Sequence, residues 1–409
     1  MKKRIRRMMM VLLLILQCTA SVCSAGTTEE SPEYIIGVAV YDPDSPEMRM
    51  FMDYYKNYIE EGFSVKFYFS EQITSQEALN AFILSMKEMG AEGIISFANT
   101  DIPDTIRLCE ENEIHYILGS GTISDTDYEA VKTNPWFLGC IGPKLEEVYQ
   151  SGCDMAAYFL QQEAQNYIIM TGGASRKNTL HALRTQGMLE TLQEQAGLIL
   201  EDSPEKLAQS EVNTVLYNEE RSVTVTLCPD YTEGGEGLAN LDAAFSGGVC
   251  DVLMSAFHAC TYLDRITEKE MEQNRNIMVG AIDSFTEENF EAIKERDAWG
   301  NPGIDYVQGK YASMAGPAFA MIFNAITGHP EANTPDGCAV RLYNGFWTAV
   351  GREEYIELYS YTSGIYENAY SCEDLMQVIK VFHQDASPQR LKELTEAYTV
   401  EDVKARILS

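Results

Sequence analysis

The chain has 409 residues and carries 62 acidic side chains against 30 basic ones, a formal charge of −32. That length accommodates two domains or two lobes, each large enough for its own core. The sign of the charge speaks against nucleic acid and anionic membrane surfaces as partners, serves solubility, and leaves a neutral sugar or a nucleoside open.

Residues 1–25 read as an export signal. Lys2, Lys3, Arg4, Arg6 and Arg7 form a basic start, and Met8 to Leu16 form an apolar run too short to span a bilayer. Cys23-Ser24-Ala25 offers a small residue at a cleavage position, so cleavage after Ala25 is expected. Cys18, after Ile15-Leu16-Gln17, is the alternative, as a lipid-anchored residue. Removing the leader's five basic residues takes the charge of the remainder to −37. The expected location is the periplasm or the outer face of the cell membrane.

After a polar linker, Tyr34–Val40 is a continuous apolar run, as a buried parallel strand requires. Ser45-Pro46 then supplies a cap and a proline at the first helical position. Strands are predicted at Val65–Phe69, Gly93–Phe97, Ile114–Leu118 and Phe137–Ile141. Helices lie between them, one opening on a capping box of Thr74 and Glu77.

The alternation then restarts. A helix is predicted over Leu145–Leu160, a strand over Tyr167–Met170, and a helix over Leu180–Gln195. Further strands follow at Val223–Leu227, Cys250–Ser255, Ile277–Ile282 and Ile304–Val307. Two such series imply an α/β fold of two Rossmann-like, doubly wound parallel-sheet lobes. Leu198–Arg221 is polar and reads as a surface excursion. Ala339–Val350 reads as one or two strands, and the residues from Ser371 onward as an acidic helical tail.

Ten cysteines are present, two of them in the leader, and the rest are scattered without a CxxC pair. This is neither a disulfide framework nor a zinc site. No G-x-S-x-G elbow, H-E-x-x-H motif or nucleotide loop occurs, so neither an enzymatic activity nor a cofactor is expected.

In an open parallel sheet, ligands bind outside the carboxyl ends of the strands. Arg184, Asp283 and Gln308 fall near such ends. A guanidinium donates in a fixed fork, an ionised carboxylate only accepts, and an amide does both. Together they suit a small polyhydroxylated molecule. Tyr41, Phe97 and Phe257 fall at strand ends where a ring could stack on a sugar's C–H face, with Asp42, Asn99 and Ser255 as polar neighbours. Each also has a bland reading: a surface arginine, a helix cap, a hinge amide, or core rings.

From Tyr34 to Val350 the chain resembles the type I periplasmic solute-binding proteins, the group that includes ribose- and galactose-binding proteins. The resemblance rests on IIGVAVYDPDSPEMRMFMDYYKN, AEGIISFAN, RTQGMLETL, VGAIDS and YVQGKYASMAG, in this order. It implies a clamshell with a multi-strand hinge crossed near Gly142, Gln308 and Cys338. Residues 34–141 plus 309–338 would form the N-terminal lobe. Residues 142–308 plus 339–409, with the tail, would form the other. It further implies that Arg184, Asp283 and Gln308 hold the ligand, and that a monomer delivers it to an ABC permease or a membrane sensor. The expected ligand is a sugar or a related polyhydroxylated molecule. A nucleoside binder or a sensory co-receptor of the same fold is the alternative, and a carbohydrate-active enzyme ranks behind both. Phe97-Ala98-Asn99 lacks the acidic residue that sugar binders often place after that strand.

Overall fold

The computed structural model describes residues 34–408, except residues 99, 177, 231–234, 298 and 363–368. Residues 1–33, which include the expected export signal with Cys18 and Ala25, and the candidate Asn99 lie outside the described residues.

The first sheet opens with five strands: β1 (Tyr34–Ala39), β2 (Val65–Phe69), β3 (Gly93–Ser96), β4 (His115–Leu118) and β5 (Phe137–Gly142). The second has β6 (Asn166–Thr171), β7 (Thr214–Tyr217), β8 (Thr224–Pro229), β9 (Val252–Ser255), β10 (Met278–Ala281) and β11 (Tyr306–Gly309). Two late strands, β12 (Val340–Tyr343) and β13 (Trp347–Val350), join one sheet each. The orders are β12-β5-β4-β3-β1-β2 and β13-β11-β10-β9-β6-β8-β7. All pairings in the first sheet are parallel; in the second, only the two edge strands β13 and β7 run antiparallel. This is the α/β architecture of two doubly wound lobes. In each sheet the order reverses beside the first strand of its lobe, β1 or β6, which places a ligand crevice there.

The central strands are buried along most of their length, and β3, β5 and β9 throughout. That is why they read as unbroken apolar runs rather than alternating ones. The larger core continues through both lobes, and a second cluster around Leu79, Ile83, Ile94 and Ile106 covers the other face of the first sheet.

Several expectations shift in detail. The helix Gln76–Glu88 is capped by Ser75, whose hydroxyl accepts from the Ala78 N–H at 3.2 Å, rather than by Thr74. The polar stretch 198–221 holds β7, an antiparallel edge strand on β8, so the excursion extends the second sheet. Ala339–Val350 divides at Asn344-Gly345. Val340–Tyr343 pairs with β5, so the third passage between lobes lies at 344–346 rather than near Cys338. The tail divides too. Helix Gly351–Ser360 lies beside helix Glu287–Lys294 of the second lobe, with Phe290 and Tyr359 stacked at 4.5 Å. From Ala369 onward the chain is back on the first lobe, where it was not expected. Tyr370 is fully buried and accepts from Tyr54 Oη at 2.9 Å, and Asn324 Nδ2 donates to the Val378 carbonyl at 2.9 Å. The apolar residues of the tail explain this: Leu375, Val378, Ile379, Leu391 and Val403 are buried, leaving most of its acidic residues to solvent.

Candidate functional site

Between the lobes, at the carboxyl ends of β1, β9, β10 and β11, lies a cavity of about 330 Å³. That is within the range on the order of 300–1,000 Å³ usual for small-molecule pockets. Each of its walls is placed by local sequence.

The first-lobe wall is Tyr41, Ser45, Pro46 and Glu47. Ser45 caps the helix Pro46–Asp53 by accepting from the Met48 N–H at 3.3 Å, and Pro46 starts it. Glu47 therefore falls in the first helical turn, aimed across the cleft. Its Oε2 accepts from Ser284 Oγ at 2.6 Å and its Oε1 from Lys310 Nζ at 2.9 Å. Burial pushes the Glu47 carboxyl up. Lys310, the Ser284 hydroxyl and Arg184 more than offset that, and hold it below the ordinary carboxylate range. Tyr41 stands at the rim, with its hydroxyl 3.4 Å from Glu47 Oε1.

The second-lobe wall begins with helix Thr179–Ala196. Asn178 caps it, its Oδ1 accepting from the Leu180 and His181 N–H groups. His181 and Arg184, three residues apart, share a face and both line the cavity. Arg184 is 8 % exposed, and its Nη1 donates to the Ala256 and Ile282 carbonyls at 2.7 and 3.0 Å. Those carbonyls lie one residue beyond β9 and β10, so the guanidinium bridges two strand ends. The helix is also held very close to its neighbour Leu145–Gln161. A Cβ on Gly152 would lie 1.9 Å from the Arg184 carbonyl oxygen, and one on Gly187 would lie 2.3 Å from that of Tyr149. Only glycine at both positions permits that approach.

After β9, a tight turn places Phe257 and His258 in the cavity lining. Ser255 makes that turn: its Oγ donates to the His258 carbonyl at 3.1 Å and accepts from the Phe257 N–H at 3.3 Å. The Phe257 ring stacks on His181 at 5.1 Å. Burial, then the charges of Arg184, His258 and Lys310, push His181 well below its ordinary range.

After β10 come Asp283 and Ser284. Burial raises the Asp283 carboxyl above its ordinary value, against the pull of His258 and Asn289. Asn289, fully buried, donates from Nδ2 to Asp283 Oδ2 at 2.7 Å and to the Ser284 carbonyl at 2.8 Å. The cap of the next helix is Thr286, not Asp283. β11 ends in Gly309, whose absent side chain lets the backbone pass where a Cβ would lie 1.8 Å from the Asp283 carbonyl oxygen. Lys310 follows, its carbonyl accepting from the Phe285 N–H at 2.7 Å.

The residues expected from sequence thus separate. Arg184, Asp283, Tyr41 and Phe257 line the cavity. Ser255 supports it from behind. Asp42 sits in the turn before the first helix, its Oδ1 accepting from the Asp44 N–H at 3.1 Å. Phe97 is a core ring, stacked on Phe51 at 4.8 Å. Gln308 faces away, accepting from Tyr306 Oη at 2.9 Å and reaching Asp154 at 3.4 Å. Strand parity explains this: residues 306 and 308 share a face, and Tyr306 packs on Tyr158. Sequence reasoning missed Glu47, His181, His258, Ser284 and Lys310. His181 had a signal, the i, i+3 spacing to Arg184. Glu47 and Lys310 had none, because their pairing is made across the cleft.

No family model and no curated protein matches the chain. Solved structures do. An ABC transporter solute binding protein from Bacillus halodurans C-125, with bound myo-inositol, superposes with a TM-score of 0.55 at 16% identity, covering 81% of this chain and 99% of that one. A galactofuranose binding protein gives 0.55 at 12% identity, covering 80% and 98%. A periplasmic solute binding protein from Actinobacillus succinogenes 130z, with bound D-allose, gives 0.54 at 13% identity, covering 79% and 99%. The chain has the fold of the type I periplasmic binding proteins.

Proposed function

We propose that the chain is an extracytoplasmic solute-binding protein that captures a sugar or a related polyhydroxylated molecule between its lobes and presents it to an ABC-type permease. The observation that carries this is the composition of the cavity wall. Arg184 supplies a guanidinium fixed by two backbone carbonyls, Asp283 an oriented acceptor, and the Phe257–His181 stack an apolar platform, all at strand ends on a hinged pair of lobes. Hydroxyl groups need donors and acceptors together, and a sugar ring needs a face to lie against. The chain folds like proteins solved with myo-inositol and D-allose. Capture would be reversible: closure removes water from the ligand, and opening releases it.

A thermal-shift screen against sugars, nucleosides and amino acids tests the reading, because a ligand of the folded state alone must raise the melting temperature. A sugar is expected to do so. Arg184→Ala and Asp283→Ala are each expected to abolish the shift with an unchanged far-UV spectrum. Undiminished affinity in both variants would remove the site.

A further inference from the structure

We infer that the ligand is an anionic polyol, a sugar-like molecule whose single acidic group takes the place now held by the Glu47 carboxylate. This rests on the solute-capture reading and names its substrate class. Glu47 belongs to the first lobe, but its carboxylate is bound by groups that belong with the second. Ser284 follows β10, and Lys310 follows β11 with its carbonyl bonded to Phe285. The pair is sheltered, with side-chain exposures of 12% for Lys310 and 22% for Glu47. The protein therefore uses one of its own carboxylates to fill an anion seat of Lys310 Nζ and Ser284 Oγ, with Arg184 adding attraction.

Opening the hinge carries Glu47 away with its lobe. The wall left behind bears Arg184 and Lys310 against the single carboxylate of Asp283. In a chain of formal charge −32, that is a local reversal of sign at the place where a ligand first meets the protein. Such a wall draws anions inward and holds them by charge-assisted bonds. A ligand carboxylate or phosphate reaching Ser284 and Lys310 displaces Glu47. A neutral polyol leaves Glu47 in its seat.

The test compares a hexuronate, a hexose phosphate and the matching neutral hexose by titration calorimetry on the full chain. The hexuronate or the phosphate, whichever is the natural form, is expected to bind at least about tenfold tighter than the hexose, a difference of about 1.4 kcal/mol. Glu47→Gln removes the internal competitor and is expected to tighten the anionic ligand. Lys310→Gln is expected to erase most of the preference, and Lys310→Arg to restore it. Melting curves of each variant confirm folding. If the neutral hexose binds as well as its acidic forms, or if Glu47→Gln weakens every ligand alike, the inference is overturned while solute capture stands. If no polyol of any charge binds, both fall.

Discussion

Gly152→Ala tests whether Arg184 is placed by the packing of two helices. The added methyl would sit 1.9 Å from the Arg184 carbonyl oxygen, where ordinary contact begins near 3.4 Å. The obstacle is helix backbone, which has no rotamer to escape into. The helices must part by about 1.5 Å, the difference between those two distances. Overpacking of this kind costs about 1–3 kcal/mol of stability. The same displacement draws Arg184 Nη1 off the Ala256 and Ile282 carbonyls, now at 2.7 and 3.0 Å. Hydrogen bonds to a charged group are worth about 1.5–3 kcal/mol each, so a displaced guanidinium that forfeits one such bond to a ligand would weaken binding roughly 10- to 100-fold. Urea unfolding and titration calorimetry read the two effects separately. Gly248→Ala, where nothing lies within 4 Å of the new methyl, serves as the control. Wild-type affinity together with an unmoved unfolding midpoint in Gly152→Ala would refute this account of how Arg184 is positioned.

Three further outcomes are expected. Asn289→Leu removes the donor to Asp283 and is expected to destabilise by about 1–3 kcal/mol. It also lets the Asp283 carboxyl, already raised by burial, rise further, so calorimetry from pH 8 down to pH 5 should show affinity falling earlier than in the wild type; parallel profiles would contradict this. Asp305 is pushed up to about 7, chiefly by burial, so the folded state takes up its proton before the unfolded state does. Its destabilising contribution is complete above that value and gone near its ordinary pKa of 3.8. Asp305→Asn should therefore stabilise at pH 8, by at most roughly 4–5 kcal/mol at about 1.4 kcal/mol per unit, with an advantage in denaturant titrations that shrinks toward nothing near pH 4. Arg49 and Glu288 pair across the cleft with side chains 50% and 38% exposed. Glu288→Gln should cost under about 1 kcal/mol, and less still at high salt, when melts are compared at low and high ionic strength.

The two winding series were legible because buried parallel strands are unbroken apolar runs and their helices carry caps; β3 and the Ser45-Pro46 start show both. The passage at 344–346 was not, since which sheet a four-residue strand joins is decided by pairing partners far away in the chain. Residue types drew attention to Arg184, Asp283, Tyr41 and Phe257. Phe97 and Gln308 carry equally suggestive chemistry, and only the direction of their side chains sends them into the core and the hinge. Glu47 reads as an ordinary acidic residue in a first helical turn, where carboxylates are common for reasons of the helix dipole. Its role depends on Lys310 and Ser284, each more than 230 positions away, so no local pattern announces it.

The return of the chain to the first lobe at Ala369 gives the two halves a fourth covalent link, beyond those after β5, after β11 and between β12 and β13. Helix Gly351–Ser360 holds one end of it against the second lobe and Tyr370 anchors the other, while the Ala369 N–H donates to the Tyr361 carbonyl at 2.7 Å. Covalent links keep each binding surface at a high effective concentration for the other. Every added link narrows the range of orientations over which that concentration is spread. A ligand seated on the second lobe would then meet the first-lobe wall around Tyr41 as a unimolecular event, with little left to search.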